Sequence, residues 1–357
     1  MFKLDKFINP LLIFIVFITF VSGVRAEDSK RGFYLTAWTA ANKSTLRQAI
    51  KLLTNFNLNS VVIDLKDYSG YVFFKTNNNL ISGYNTLKPI LSLQTLTNFL
   101  HQNNIYVIGR IVVFQDNLLP RKINSFAVKN KNNELWLDNK NITWIEPFNR
   151  DYWQYIVEIS KEALAQGIDE INLDYVRFPT DGNLRDIVYS QNFASRRDVI
   201  KEFLRFVNEN IKKSYPDKKI SLDIFGLTLI AGDNDLGIGQ TLEDALTYSD
   251  YVMPMLYPSH FAKGFYGYQN PAEYPYEVIH YSLSKALSRF PELVRAKLRP
   301  WFQAFNIGAI YDSEKVYLQI KAFEDLNLNN GWFLWNSSNI YDDKLDFVKY
   351  PKIKTFL

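Results

Sequence analysis

The sequence contains no cysteine, so a disulfide framework, a thiolate zinc site and a cysteine nucleophile are all excluded. Histidine is nearly as scarce. His101, His260 and His280 stand far apart, and the pattern offers no His-rich metal cluster. GxSxG, P-loop and HExxH patterns are absent, which removes the commonest serine-hydrolase, nucleotide and zinc-protease readings and implies no cofactor. Asp233 and Asp235 in AGDNDLGIG resemble a calcium loop, yet Ile238 stands where its sixth-position glycine belongs and Asp244 where its bidentate glutamate belongs. This segment reads as a solvated turn.

Excess charge is lacking too. The formal charge is +4, and +2 once residues 1–26 are set aside with their Lys3, Lys6, Arg25 and Asp5. Acidic and basic residues are interspersed, which argues against nucleic acid and against an acidic membrane surface as partners. Beyond Gly32 no long Pro-, Gly- or Ser-rich stretch interrupts the chain, so no linker divides it.

What is present begins with an N-terminal pattern of export. Lys3 and Lys6 precede an apolar run from Phe7 to Val21, and small Ala26 follows in VRAED. Basic, apolar and small regions in that order predict a secretory signal over 1–26, cut after Ala26. The run is shorter than the roughly 20 residues of a membrane span, so an uncleaved anchor is the alternative and the sole membrane contact expected. The remainder, 27–357, is expected to be one domain working outside the cytoplasmic membrane, as a secreted or envelope protein.

Apolar runs of strand length then alternate with segments of helical period. The predicted strands are 32–38, 60–67, 105–114, 169–179, 219–227, 250–260, 298–306 and 331–337. Between them the period of 3.6 places helices near 44–56, 91–103, 151–166, 197–214, 241–248, 276–290 and 313–326, the first with Ser44 as its expected N-cap. Eight strand–helix units fit a (β/α)8 barrel of the TIM type. A doubly wound open sheet accepts the same repeats, but polar residues mark the carboxyl end of nearly every strand here instead of clustering at one switch point.

DEINLDYVRFP, residues 169–179, organises the rest. Ile171 and Leu173 alternate with Asn172 and Asp174, so Asp174 shares a face with Asn172, and Pro179 ends the strand. The strand-end candidates for chemistry are Asp64, Asp67, Arg110, Asp116, Asp174, Arg177, Asp223, Tyr257, His260, Gln303 and Asn336. A closed barrel would gather them at one mouth. Carboxylates dominate the set, and together with a surplus of Trp and Tyr they point to glycoside hydrolysis, which needs one carboxyl as acid and a second as nucleophile or base. Asp174 and Asp223, on successive strands, are the expected catalytic pair. Arg177 is expected to hold Asp174 ionised as nucleophile or stabiliser, and Asp223, flanked by Leu222, Ile224 and Phe225, to be the acid; Asp64 is the reserve. Trp38, Trp136, Trp144, Trp301 and Trp335 are candidate sugar platforms, with Trp335 and one tryptophan of the long 115–149 connection preferred. The partner expected is a polysaccharide or oligosaccharide.

With those residues in place, the chain resembles the bacterial family catalogued as a putative glycosyl hydrolase domain, over about Gly32 to Tyr341. The resemblance is carried by VVIDLKDYSG (61–70), IGRIVVFQD (108–116), DEINLDYVRFP, DIFG (223–226), MPMLYPSH (253–260), RPWFQAF (299–305) and GWFLWNSSNIY (331–341). It implies a TIM-like barrel distantly similar to the α-amylase and α-galactosidase type clans, with Asp174 as nucleophile. One departure stands out: family members often read Trp-x-Gln-Asp-Phe on the seventh strand, and here Ala304 takes the place of that aspartate. If the aspartate is the family's acid, this chain would be a carbohydrate-binding barrel without catalysis. A third reading is a scaffold held at the envelope by an uncleaved N-terminus.

Overall fold

The computed structural model describes residues 29–190, 195–341 and 344–345. The expected signal, 1–26, lies outside these residues. Eight parallel strands form the frame: β1 Lys30–Leu35, β2 Ser60–Lys66, β3 Tyr106–Val112, β4 Glu170–Asp174, β5 Lys219–Phe225, β6 Tyr251–Leu256, β7 Trp301–Gln303 and β8 Gly331–Trp335. Each pairs with its successor, and β1 pairs with both β2 and β8, so the sheet closes on itself. This is the expected barrel, not the open sheet.

The crossover helices are α1 Lys43–Asn55, α2 Leu93–Gln102, α3 Arg150–Ala165, α4 Arg196–Ser214, α5 Leu242–Tyr248, α6 Pro275–Arg289 and α7 Ser313–Glu324. Side-chain oxygens cap most of them: Asn149 accepts from the N–H of Tyr152, Ser195 from Asp198, Thr241 from Asp244 and Asp312 from Lys315. α1 is capped by Asn42, whose Oδ1 accepts from Ser44 and Thr45, and not by Ser44, which lies inside the helix.

Strand alternation produces two cores. Outward residues such as Val61, Ile63, Leu65, Ile171 and Leu173 pack with the helices in one large apolar shell. Inward residues Tyr34, Val62, Ile108, Met253, Trp301 and Phe333 fill the barrel itself. At its floor, Glu170 and Arg299 form a buried ion pair at 2.9 Å, and the Arg299 guanidinium lies 3.6 Å from the centre of the Tyr251 ring.

Several boundaries differ from expectation. β7 begins at Trp301, not residue 298, because Pro300 has no N–H to give to the ladder. Pro258 starts a 3₁₀ turn over Pro258–His260, so β6 stops at Leu256. Trp38 lies in a short helix, Ala37–Ala41, beyond the end of β1. Two unanticipated strands, Val72–Phe74 and Leu87–Leu91, extend the sheet from β2, the first antiparallel to it after a reversal at Gly70, whose φ is +87°. Pro291 opens a further short helix, Pro291–Lys297. The long 115–149 connection is ordered, as expected, by cross-links such as Gln115 with Trp144 and Ala127 with Ile145.

Candidate active site

The inward face of the barrel gathers charge at its carboxyl end. Arg110 on β3 is registered with Asp64 on β2 and with Asn172 on β4. Its guanidinium bridges two carboxylates: Nη1 lies 2.6 Å from Asp64 Oδ1, while Nη2 and Nε lie 2.6 and 3.0 Å from Asp174 Oδ2. The hydroxyl of Tyr34, on β1, donates to Asp64 Oδ2 at 2.5 Å. The remaining oxygen of Asp174 accepts the backbone N–H of Tyr175 at 2.6 Å. Tyr175 has φ of +54°, a left-handed conformation that a bulky residue seldom adopts and that functional positions concentrate.

Asp223 occupies the next strand. β4 and β5 are in register through Leu173–Leu222, so one step further on Asp174 and Asp223 stand side by side, at the ordinary strand separation of about 5 Å. Asp223 Oδ1 accepts two hydrogen bonds, from Asn172 Nδ2 and Trp301 Nε1, both at 2.8 Å. Burial, reinforced by the charge of Asp174, pushes the Asp223 carboxyl well above the usual range, against the opposing pull of those two donors. Burial likewise raises Asp64, although Arg110 and Tyr34 oppose it. The cluster therefore combines three carboxyl groups with one guanidinium, and burial biases Asp64 and Asp223 towards their neutral forms.

Oδ1 of Asp223 is filled by two N–H donors. A proton on this group therefore belongs on Oδ2.

Beside the cluster opens a cavity of about 560 Å³, lined by Tyr257, His260, Phe305, Ile307, Trp335 and Asn336 among others. Trp335 joins cavity to cluster: its ring stacks on Tyr34 at 4.1 Å, and the Arg110 guanidinium lies 5.0 Å from its centre. Tyr257 and His260 meet edge to face, and burial lowers the His260 imidazole below its ordinary value. Asn336 Nδ2 donates to the carbonyls of Ala304 and Ile340, shaping the wall.

Other candidates serve the scaffold. Asp116 is fully buried in an ion pair with Lys66 at 2.9 Å, and its other oxygen caps the N–H groups of Leu118 and Leu119. Asp67 accepts from Ser69 in a tight turn. Gln303 ties the β6 and β7 loops together, accepting from Ser259 N–H and donating to the Phe305 carbonyl. Trp136 and Trp144 are not platforms: both are buried, and their indole N–H groups anchor the long connection through the Asn183 carbonyl and Asp138. Trp301 is fully buried and acts on Asp223 instead of facing a ligand. Trp38 is exposed, with the Lys88 ammonium 4.9 Å from its ring centre.

Arg177 does not pair with Asp174; Arg110 takes that role. Three residues along a chain turning out of β4, Arg177 stays within reach of the Asp174 charge but makes no ion pair with it, donating instead to the Phe178 carbonyl and Thr180 hydroxyl. In the 231–240 turn, Asp233 pairs with Arg289 and Asp235 caps the N–H of Gly237.

Residues 32–341 match the family described as "Putative glycosyl hydrolase domain". The chain belongs to this family. No curated protein matches the sequence. Among solved structures, a hypothetical protein from Ruminiclostridium thermocellum is 32% identical, with 58% of this chain and 98% of that one covered and a TM-score of 0.50. The PgaB (BpsB) glycoside hydrolase domain from Bordetella bronchiseptica is 13% identical over 90% of this chain and 96% of its own, with a TM-score of 0.63. The GH36 α-galactosidase AgaB from Geobacillus stearothermophilus is 14% identical over 90% of this chain, which spans 41% of that enzyme, with a TM-score of 0.53. At such identities the last two share the fold.

Membership in the family makes the position of Ala304 important. Trp301 on β7 points inward and Phe302 outward, and continuing that alternation past the strand's end sets Ala304, fully buried, on the outward side. An aspartate there would enter apolar packing behind the barrel wall, away from Asp174 and Asp223. By that alternation, the position lies off the inward face that carries Asp174 and Asp223.

Sequence reasoning overlooked Tyr34, Asn172 as a donor to Asp223, and the N–H of Trp301. The period-2 pattern of GFYLTAW, which sets Tyr34 on the same face as Gly32, was the available signal for the first.

Proposed function

We propose that this protein hydrolyses a glycosidic bond in a polysaccharide or oligosaccharide, outside the cytoplasmic membrane, with Asp174 as nucleophile and Asp223 as acid/base. One observation carries the reading: two carboxyls on adjacent strands, one step past their last paired residues, sit in opposite surroundings, Asp174 in a two-donor ion pair with Arg110 and Asp223 buried beside Trp301.

In the first step, Asp174 Oδ1 or Oδ2 attacks the anomeric carbon while the Asp223 proton passes to the leaving oxygen, so the glycosidic bond breaks as a glycosyl ester forms. In the second, Asp223, now a carboxylate, takes a proton from water as that water displaces Asp174. Carboxyls at neighbouring positions of adjacent strands suit this double displacement, which uses the shorter of the two carboxyl spacings. Trp335 and Tyr257 offer ring faces to the sugar in the adjacent cavity. Related folds are named for such ligands: AgaA structures from Geobacillus stearothermophilus hold raffinose and stachyose.

The binding-only reading was motivated by Ala304; the outward side that strand alternation gives this residue supports the catalytic reading over it. Release of reducing ends from a panel of plant and bacterial glycans tests the proposal. Asp174→Asn and Asp223→Asn are expected to lower turnover at least about a hundredfold, the weight of a nucleophile or general acid, with the fold intact by circular dichroism. Undiminished turnover by Asp174→Asn overturns it. N-terminal sequencing of exported protein tests the extracytoplasmic address.

A further inference from the structure

Arg177 is a buried cation without an ion-pair partner among the described residues. It is 8% exposed. Its Nη1 donates to the Phe178 carbonyl at 3.0 Å and to Thr180 Oγ1 at 3.3 Å, while Nε and Nη2 find no acceptor among the described residues. Three acids lie within range of its charge, and none pairs with it: Asp181 is exposed, and the other two are committed elsewhere. Asp174 is taken by Arg110 and Tyr175 N–H, and Asp138 accepts from Lys140, Ile142, Gln115 and Trp144. Burial lowers the guanidinium despite the more distant charges of Asp174, Asp181 and Asp138, and an anion in direct contact would relieve that cost.

Its place in the fold says where such an anion would sit. The guanidinium carbon lies 4.9 Å from the ring centres of Tyr175, Phe225 and Trp144 alike. Tyr175 directly follows Asp174, and Phe225 stands two residues beyond Asp223 on the same inward face, so both rings are part-exposed at the mouth just above the proposed pair. The three rings fix the guanidinium plane, and Nε with Nη2 form the side edge that grips an oxyanion through two parallel hydrogen bonds.

We infer that this edge of Arg177 binds an oxyanion substituent of the sugar held next to Asp174 and Asp223, making the substrate an acidic glycan that carries a uronic carboxylate or a sulfate ester. The inference rests on the mouth being a glycoside hydrolase site and narrows its substrate class.

Calorimetric titration of the Asp174→Asn protein, which keeps hydrolysis out of the measurement, provides the test. The probes are galacturonate, glucuronate, galactose 6-sulfate and their neutral parents galactose and glucose. At least one acidic sugar is expected to bind about tenfold or more tighter than its parent, the weight of one charge-assisted contact. A uronate preference identifies the carboxylate, and a galactose 6-sulfate preference the sulfate. Arg177→Met is expected to abolish the gap, and Arg177→Lys, which keeps the charge without the fork, to leave part of it. Equal binding of acidic and neutral sugars overturns the inference from the Asp174→Asn protein alone, whether or not the Arg177 variants fold, and so does a gap that survives in Arg177→Met. An acid preference without hydrolysis of any glycan by the wild type would sink the hydrolase reading and leave this one standing.

Discussion

Arg110 reaches Asp174 with two of its donors, Nη2 at 2.6 Å and Nε at 3.0 Å, and spends its third on Asp64 across the neighbouring strand pair. One guanidinium thus compensates two buried carboxyls from opposite sides. Arg110→Met would leave both without their cation, and breaking a buried pair in this way costs about 3–5 kcal/mol. Urea denaturation should show that loss, and turnover should vanish with it. Arg110→Lys keeps the charge but cannot hold Asp64 and Asp174 together, so its stability should fall less while turnover still drops steeply.

Trp301 is a positioning residue, acting on the reaction through Asp223. Its N–H stabilises the charged form of a carboxyl that burial pushes upward. Trp301→Phe removes that donor and keeps most of the ring, so the acid should hold its proton to still higher pH. The basic limb of the kcat/KM profile is therefore expected to move up in the variant. A limb that stays in place, or moves down, would detach Trp301 from the acid.

The barrel was legible because its strands announce themselves twice, by period and by what interrupts them. Alternation in SVVIDLK and EINLD placed Asp64 and Asp174 inward, and both are inward. The partner of Asp174 was not legible in the same way. Arg177 is close in sequence, but Arg110 is close in space, brought there by the register of β3 against β4. Sequence proximity misled because the left-handed turn at Tyr175 redirects the chain at once. The tryptophans failed for a related reason: composition says that indole faces are available, whereas burial and N–H partners decide whether they meet a ligand, and Trp136, Trp144 and Trp301 are all consumed internally.

Glu146 supplies a pH signature outside the mouth. It is buried, and among the described residues its Oε1 has no hydrogen-bond partner and Oε2 accepts the Ser190 N–H; burial pushes its carboxyl up to about 7. A carboxyl raised on folding binds its proton more tightly in the native state. Its stabilising contribution is thus complete below its unfolded value near 4.3 and is lost as pH rises through about 7. Melting temperatures of the wild type should fall across that window more than those of Glu146→Gln, which cannot ionise. Parallel pH profiles for the two proteins would show that Glu146 titrates elsewhere.

Ala304→Asp restores the residue that relatives often carry, and two outcomes compete. If that aspartate were the acid, the substitution would raise turnover. Strand alternation predicts otherwise: it turns residue 304 outward, the position is fully buried, and its backbone is already engaged, its N–H with the Trp335 carbonyl and its carbonyl with Asn336. A carboxyl introduced there meets no donor prepared for it, and burying it unpaired costs several kcal/mol. The variant should therefore melt well below the wild type, with no gain in turnover at temperatures where it stays folded. A rise in kcat from Ala304→Asp would move the acid from β5 to β7 and displace Asp223 from the mechanism.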